Sequence, residues 1–232
     1  MEQIIALGGG GFSMEPDNLA LDRYILEQTK ATKPKVCFLG QASAEHPDYL
    51  VRFYKAFASL DTHADHLSLF NPHTADIEDF ILSQDVIYVG GGNTRSMLAL
   101  WREWHIDKIL RAALSKGIIL AGISAGAICW FEQGTTDSIP GKLTALSCLG
   151  FLKGSCSPHY DGEVERRPTL HHLIETDGIL PGHAFEDGAA GHFINGELHN
   201  VVSSRPQATG YYVKQVDGQA HEDILDTRYL LA

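Results

Sequence analysis

Cysteine is scarce in this chain, and acidic residues outnumber basic ones. The 232 residues include 4 cysteines, and 18 lysines and arginines stand against 29 aspartates and glutamates. No two cysteines form a C-x-x-C pair, and a chain of this length can bury an adequate core without disulfides, so reduced thiols are expected. The net charge of −11 argues against nucleic-acid partners and anionic lipid surfaces, because both bind clustered lysine and arginine.

Signals for a membrane span, for export and for a metal site are also missing. No apolar run reaches transmembrane length, and the first residues lack the basic and long apolar segments of a secretion signal. The 12 histidines include no H-E-x-x-H motif, and the pairs His63/His66 and His171/His172 lack a second matching cluster. We therefore expect a soluble cytoplasmic protein with no membrane partner and no bound metal.

Short apolar runs alternate with amphipathic segments through the first half of the chain. The predicted strand and helix pairs are residues 3–7 and 16–31, 35–39 and 46–60, 66–70 and 74–83, and 86–89 and 93–104. Strands that alternate with helices indicate a parallel sheet joined by right-handed crossovers. The sequence therefore predicts an α/β fold with a doubly wound, mostly parallel sheet and helices on both of its faces.

The second half of the chain has a different composition. After residue 134, glycine, threonine, serine and proline become frequent, and segments 193–198 and 211–218 are predicted to be β-hairpins. Asn195-Gly196 in the first of them is typical of a type I′ turn. No repeat, low-complexity tract or Pro/Ser-rich linker marks a boundary. A single domain over residues 1–232, with small C-terminal hairpins, is expected.

The most informative segment is Gly122-Ile123-Ser124-Ala125-Gly126, a G-x-S-x-G motif. An apolar strand-like run precedes it and a helix-like run follows it. This context is that of a nucleophile elbow, in which a sharp strand-to-helix turn exposes the serine hydroxyl. Side chains at the two glycine positions would collide with the neighbouring strand or helix. The motif predicts that Ser124 is the nucleophile of a hydrolase, although G-x-S-x-G also occurs in ordinary glycine-rich loops.

Gly90-Gly91-Gly92-Asn93 ends another apolar strand and begins another helix. Glycine lets backbone approach a substrate closely, so we expect an N–H of Gly91 or Gly92 to join that of Ala125 in an oxyanion hole, with Asn93 beside the substrate. The simpler interpretation is a turn in which glycine only relieves crowding.

A third glycine cluster, Gly8 to Gly11, resembles a nucleotide-binding loop. The last position of G-x-G-x-x-G, however, is Ser13, and the following strand ends at Gly40-Gln41, where a ribose-binding acid would be needed. No NAD or other cofactor is therefore predicted. The cluster either lines the crevice at the carboxyl ends of the strands or forms a simple turn.

A serine nucleophile needs a base and a group that orients the base. His159 is the best candidate base, because Pro158 fixes the backbone before it in a short polar loop. Glu132 and Asp137 compete for the orienting role. If the helix after Ser124 continued through Phe131, Glu132 would lie about 12 Å along its axis, too far to share a histidine. Asp137 is expected on a returning loop and is preferred.

Three motifs in this order resemble peptidase family S51, which includes peptidase E and cyanophycinase. They are Gly90-Gly91-Gly92-Asn93-Thr94, Gly122-Ile123-Ser124-Ala125-Gly126-Ala127 and Ser157-Pro158-His159-Tyr160. The resemblance implies a flavodoxin-like fold similar to class I glutamine amidotransferases, with serine in place of cysteine at the elbow. It also implies that Ser124 is the nucleophile, that His159 is the base and that the protein is a homodimer. The family's acidic position falls within 135–140, on Asp137 or on the adjacent Ser138.

Peptidase E enzymes cleave dipeptides that begin with aspartate, which they recognise through an arginine after the catalytic histidine. Arg166 and Arg167 follow His159 here, and the guanidinium fork suits a carboxylate. Glu163 and Glu165 beside them leave open a solvated helix start instead. Arg166 is taken as the candidate for substrate binding.

These motifs together predict a serine peptidase that hydrolyses short peptides, including dipeptides with N-terminal aspartate, through an acyl-enzyme. The expected partner is a small peptide. Two alternatives remain open. A carboxylesterase would prefer esters to dipeptides, although no HGGG-type motif supports it. A non-catalytic, flavodoxin-like ligand-binding domain would form no covalent adduct on Ser124 with a fluorophosphonate probe.

Overall fold

The apolar runs of the sequence become the strands of two sheets. The structure is a computed structural model that describes residues 1–231. In chain order the strands are β1 (Gln3–Leu7), β2 (Lys35–Leu39), β3 (His63–Leu67), β4 (Val86–Val89), β5 (Ile119–Ile123), β6 (Phe131–Ile139), β7 (Lys142–Ser147), β8 (Leu152–Ser157), β9 (Gly182–Phe185), β10 (Ala189–Ile194), β11 (Glu197–Ser203), β12 (Gly210–Val216), β13 (Gln219–Ile224) and β14 (Thr227–Tyr229).

The helices lie mainly between the early strands. They are α1 (Gly11–Met14), α2 (Ala20–Glu27), α3 (Pro47–Ala58), α4 (Ile77–Leu82), α5 (Thr94–Glu103), α6 (Ile106–Ser115), α7 (Ala125–Ile128) and α8 (Arg166–Glu175), with a short 3₁₀ turn at Gln41–Ser43. The caps follow the sequence. Pro47 occupies the first turn of α3, and the Asn93 side chain accepts a hydrogen bond from the Ser96 N–H at the start of α5. Within residues 1–231, none of these helices is long and apolar enough to cross a bilayer.

The larger sheet has eight strands in the order β14-β11-β10-β1-β5-β4-β2-β3. Strands β1 to β5 run parallel, whereas β10 is antiparallel to β1. Apolar residues of α1, α2 and α3 pack on one face, and those of α4 to α7 pack on the other. Neighbouring residues of β1 divide between these faces: Ile5 contributes to the first core and Ile4 to the second. The α/β fold that the alternating runs predicted is confirmed.

A second sheet of six strands, in the order β13-β12-β9-β8-β6-β7, was not predicted from the sequence. The sequence of this half of the chain predicts hairpins at 193–198 and 211–218. The structure contains them, with Asn195-Gly196 between β10 and β11 and Asp217-Gly218 between β12 and β13, all four residues at positive φ. It also adds β6, β7, β8 and β9, and the glycine, serine and threonine content of β6 and β8 conceals those two strands. A small core that includes Leu170 joins this sheet to α8.

Candidate active site

Ser124 lies at the sharp turn between β5 and α7. Its backbone dihedral angles, φ 57° and ψ −113°, fall in a region that residues other than glycine rarely adopt. Ile123 before it and Ala125 after it are buried, whereas Ser124 is partly exposed at the carboxyl edge of the large sheet. This is the geometry of a nucleophile elbow.

Close packing against β4 explains the two glycines of the G-x-S-x-G motif. A Cβ atom on Gly126 would lie 2.2 Å from the carbonyl oxygen of Val89, and one on Gly122 would lie 2.5 Å from the carbonyl oxygen of Gly126. Both distances are shorter than van der Waals contact allows. The turn that carries Ser124 can therefore pack against its neighbouring strand only with glycine at both positions.

His159 is hydrogen-bonded to Asp187, with 2.7 Å between Nδ1 and Oδ1. Both side chains are largely buried, at 13% and 12% exposure. Because a carboxylate accepts, Nδ1 carries the proton and Nε2 of a neutral ring keeps its lone pair. His159 follows β8 and Asp187 follows β9, and these two strands are parallel neighbours with Ser157 opposite Ala184. The pair therefore forms where two parallel strands end side by side.

Two glycines make room for the carboxylate of Asp187. A Cβ atom on Gly9 would lie 2.0 Å from Oδ1, and one on Gly162 would lie 2.3 Å from Oδ2. The N–H of Asp187 also donates to Asp161 Oδ1 at 2.7 Å. The glycine cluster at 8–11, for which the sequence left a crevice or a simple turn open, thus packs directly against the acid that binds His159.

The structure pairs His159 with Asp187 and not with Asp137, the acid that the sequence favoured. Asp137 is exposed and makes no hydrogen bond to His159 within residues 1–231. The physical reason is that segment 135–140, expected to be a returning loop, mostly continues the strand β6. The competing candidate, Glu132, lies in the same strand and accepts a hydrogen bond from the N–H of Gly154.

Ser124 and His159 are both attached to the end of β1. The N–H of Ser124 donates to the carbonyl of Leu7 at 3.2 Å, and the N–H of His159 donates to the carbonyl of Gly8 at 3.0 Å. Two consecutive residues thus anchor the backbones of both candidate catalytic residues. Within residues 1–231 the Ser124 hydroxyl makes no hydrogen bond to His159, as is common for catalytic pairs before substrate binds.

Two backbone N–H groups near the Ser124 hydroxyl have no acceptor among residues 1–231, namely those of Gly92 and Ala125. The N–H of Gly91, by contrast, donates to Tyr49 Oη at 3.2 Å. A Cβ atom on Gly91 would lie 3.2 Å from that of Ser124, so this loop packs directly on the elbow. Of the two alternatives that the sequence left open, Gly92 is the one with a free donor.

Asn93 lines the site, and its side chain is hydrogen-bonded to other residues of the protein. Its Oδ1 accepts from the N–H of Ser96, and its Nδ2 donates to the carbonyl of Ser138, both at 2.9 Å. The Ser138 hydroxyl in turn accepts from the N–H of Arg95 at 3.2 Å. Asn93 therefore fixes the loop 90–93 against β6.

Arg166, the first residue of α8, is 2% exposed. Its Nη1 donates to the carbonyl of Thr135 at 3.0 Å, and its Nε and Nη2 donate to Glu163 Oε2 at 2.9 and 2.5 Å. Arg167 points elsewhere, because its guanidinium donates to both carboxylate oxygens of Glu222. Arg166 is thus the arginine that faces the site.

An open cavity of about 240 Å³ lies beside Ser124. It is lined by Gly92, Asn93, Ser124, Asp137, Ser138, Glu163 and Arg166. Sites for drug-sized ligands span roughly 300–1,000 Å³, so this cavity suits a smaller molecule. Among residues 1–231, no three His, Cys, Asp or Glu side chains form a group that could hold a metal ion.

The model of the family described as Peptidase family S51 matches residues 4–201. The chain belongs to peptidase family S51. The resemblance inferred from the three motifs is therefore confirmed. Ser124, His159 and Asp187 all lie within the matched range, as do the loop 90–93 and Arg166.

Relatives within family S51 bear peptidase names. The chain is 56% identical over 230 residues to "Uncharacterized peptidase YgaJ" of Bacillus subtilis (strain 168), a match that covers 99% of this chain and 100% of that protein. It is 26% identical over 159 residues to "Peptidase E" of Shewanella denitrificans (strain OS217), covering 64% of this chain and 65% of that protein. The coarse function that follows for this chain is that of a peptidase.

A solved structure supports the fold. The crystal structure of a peptidase from an acI-B1 Actinobacterium superposes with a TM-score of 0.71 at 13% identity, covering 98% of this chain and 95% of that one. At this identity the likeness concerns the fold alone.

The S51 motifs drew attention to Ser124 and His159, whose backbones are both attached to the end of β1, and gave no indication of Asp187. Asp187 was missed because Phe185-Glu186-Asp187-Gly188 carries no motif. A usable signal was present: the segment 182–185 ends as a strand just before the acid, as 152–157 ends just before His159. Because these two segments are parallel neighbours, their carboxyl ends lie at the same edge of the sheet.

Proposed function

We propose that this S51 protein is a serine peptidase that cleaves short peptides through a Ser124-His159-Asp187 triad and an acyl-enzyme. The observation that carries the proposal is the strained Ser124 elbow next to a buried histidine–aspartate pair. An isolated histidine–aspartate pair has many structural uses. Its position beside a nucleophile elbow favours catalysis, because the two share one strand end.

In the proposed reaction, His159 Nε2 removes the proton from Ser124 Oγ as the oxygen attacks the peptide carbonyl carbon. The tetrahedral intermediate then collapses, the C–N bond breaks, and His159 returns the proton to the departing amine. Water attacks the resulting ester by the same route and releases the acid product. Asp187 keeps the proton of His159 on Nδ1 and stabilises the imidazolium that forms in each step.

The oxyanion of the intermediate needs donors that are already oriented. The unpaired N–H groups of Gly92 and Ala125 meet this need, since both lie next to Ser124 and neither must break an existing bond within the described chain. Ala125 is the first residue of α7, so its N–H points out of the helix end.

The preferred substrate in this proposal is a dipeptide with aspartate on the amino side of the cut bond. The buried guanidinium of Arg166 supports this preference, because it is the cationic group that lines the cavity around Ser124. Arginine binds carboxylates through paired N–H donors. The small cavity also favours a substrate of about two residues over a long chain.

The proposal is tested with a dipeptide library whose cleavage is followed by mass spectrometry. Wild-type enzyme should cleave a subset enriched in N-terminal aspartate, and Ser124→Ala should reduce kcat about 10⁴-fold or more with the fold intact. A fluorophosphonate should label the wild type and fail to label Ser124→Ala.

Ser147→Ala is the matched control, because Ser147 is exposed at the end of β7, outside the cavity. It should keep full activity and full labelling. Cleavage that survives in Ser124→Ala would overturn the serine mechanism, and cleavage confined to esters would favour the carboxylesterase alternative.

A further inference from the structure

The guanidinium of Arg166 is already bound to a carboxylate of the protein itself. Its Nε and Nη2, the edge that grips a carboxylate, both donate to Glu163 Oε2, at 2.9 and 2.5 Å. The remaining nitrogen, Nη1, donates to the carbonyl of Thr135. Because Glu163 and Arg166 both line the cavity with Ser124, a substrate carboxylate meets this pair on entry.

The two partners differ sharply in their access to water. The side chain of Arg166 is 2% exposed, whereas that of Glu163 is 46% exposed. Without a counter-ion the buried guanidinium would be an uncompensated charge, which is strongly destabilising. A carboxylate that turns into solvent is hydrated at once and loses little. Glu163 can therefore leave the pair at low cost, provided that another anion takes its place.

The backbone permits this exchange without unfolding the segment. The N–H of Glu163 donates to the carbonyl of His159 at 3.1 Å, and its carbonyl accepts from the N–H of Arg166 at 2.9 Å. Within residues 1–231 the Glu163 carboxylate has no partner other than Arg166. Rotation of one side chain therefore frees the arginine and leaves the loop in place.

We propose that Glu163 is a specificity-determining residue that occupies the position of the substrate's carboxylate in the empty enzyme and is displaced only by an acidic substrate. This inference rests on the proposed function, since it assumes that peptides enter beside Ser124. An aspartate side chain replaces one carboxylate by another, so Arg166 stays paired. A neutral side chain cannot do so, because displacing Glu163 would leave the guanidinium unpaired.

Selectivity then arises because an acidic substrate gains the guanidinium of Arg166, whereas a neutral one binds beside the intact Glu163–Arg166 pair. The same competition weakens the binding of acidic substrates, because each must first exchange with Glu163. Removing the negative charge of residue 163 should therefore tighten the binding of acidic ligands and leave neutral ones unaffected.

The test compares wild type with Glu163→Gln, using Asp-Leu and its neutral isostere Asn-Leu as substrates. We expect the KM for Asp-Leu to fall about tenfold in Glu163→Gln and the KM for Asn-Leu to change less than twofold. Binding of L-aspartate, measured by calorimetry on Ser124→Ala and on the Ser124→Ala/Glu163→Gln double variant, should tighten by the same factor without any turnover.

Glu165→Gln is the matched control, since Glu165 is an exposed acid on the same loop and does not bind Arg166. It should leave both KM values unchanged. If Glu163→Gln proves poorly folded, Glu163→Asp keeps the charge on a shorter arm and should give a smaller shift in the same direction. An unchanged or raised KM for Asp-Leu in the folded variant would overturn the proposal, as would an equal fall for both substrates.

Failure of this inference is distinguishable from failure of the proposed function. If wild type cleaves dipeptides in a Ser124-dependent way and Glu163→Gln keeps the wild-type ratio of KM values, only the role of Glu163 is wrong. If no dipeptide is cleaved and L-aspartate does not bind, the proposed function fails first.

Discussion

Asp187 and Asp137 carry the same functional group in different surroundings. Asp187 is buried at 9% exposure and bonded to His159, whereas Asp137 lies exposed on β6 at the rim of the cavity. A buried carboxylate held against one imidazole nitrogen fixes the tautomer of the ring. An exposed carboxylate at the rim has no such partner.

We therefore expect Asp187→Asn to lower kcat by about 10³- to 10⁴-fold, because an amide can hold His159 in the wrong tautomer. Asp137→Asn should change kcat by less than about threefold. Steady-state kinetics on the best dipeptide checks both variants, and circular dichroism checks that each is folded. A large loss of kcat in Asp137→Asn with full activity in Asp187→Asn would identify Asp137, on β6, as the acid that orients His159.

The carboxylate of Asp187 also explains the glycine at position 9. A Cβ atom there would lie 2.0 Å from Asp187 Oδ1, so the carboxylate and the first glycine loop cannot both keep their places in Gly9→Ala. We expect that variant to lose most of kcat while KM changes less. Gly178→Ala is the control, because the atom nearest to its Cβ atom would be Cδ2 of the flexible Leu173 side chain, at 3.0 Å, and the variant should retain activity.

At the scale of elements, one carboxylate ties the last hairpin to α8. Glu222 on β13 accepts from Arg167 at 2.9 and 3.1 Å and pairs with His171 at 2.7 Å, and Tyr160, the neighbour of His159, donates to it as well. Burial alone would raise the pKa of Glu222, but these hydrogen bonds outweigh it and hold the pKa below its ordinary value. The cluster stabilises the loop that carries His159.

Glu222→Gln should accordingly lower the free energy of unfolding by about 2 kcal/mol at neutral pH, as expected when hydrogen bonds to a charged group are lost. Because the folded pKa is depressed, the stabilisation is present above the unfolded pKa of a glutamate. It disappears as pH falls through the folded value. Urea unfolding at neutral and acid pH measures this difference. Asp223→Asn, which removes a carboxylate that pairs within the hairpin with Lys214, should cost less.

Elements differ in how far the sequence predicts them. β1, β2 and β4 have the predicted bounds, because strands covered on both faces are uniformly apolar. The third strand lies at 63–67, three residues before its predicted position, since this edge strand is largely polar. In the second sheet, β8 reads Leu-Lys-Gly-Ser-Cys-Ser, which lacks both an apolar run and a clear alternation. Its strands exist because of pairing partners distant in sequence, which no local pattern records.

At the scale of the whole molecule, buried titratable groups control stability against pH. Burial raises the pKa of Asp22 from 3.8 to about 7, against the hydrogen bond that it accepts from the Phe12 N–H. Burial also lowers the pKa of His183 and His192 from 6.5 to about 4. The two effects have opposite signs. The unfolded histidines bind protons between pH 4 and 6.5, so stability rises with pH there, while Asp22 makes it fall from pH 4 to 7.

Asp22→Asn removes the contribution of Asp22 and leaves that of the two buried histidines. The folded wild type keeps a proton on Asp22 up to about pH 7 that the unfolded chain releases near pH 4, so its stability declines across this window. The variant should therefore gain about 2–4 kcal/mol relative to wild type between pH 4 and pH 8. Thermal or urea unfolding across this range measures it. Asp17→Asn replaces an exposed acid before the same helix. Its free energy of unfolding should differ from that of wild type by the same amount across this pH range.

Ser124 and His159 are attached to consecutive carbonyls at the end of β1, although 34 residues lie between them in the sequence. The residues between them leave the large sheet, form the β6–β7 hairpin and return, yet both backbones are anchored to the same end of β1. The hairpin turns at Pro140-Gly141, where an added Cβ atom on Gly141 would meet nothing within 4 Å. The β6–β7 hairpin can therefore change in length without altering the two backbone hydrogen bonds that attach Ser124 and His159 to the end of β1.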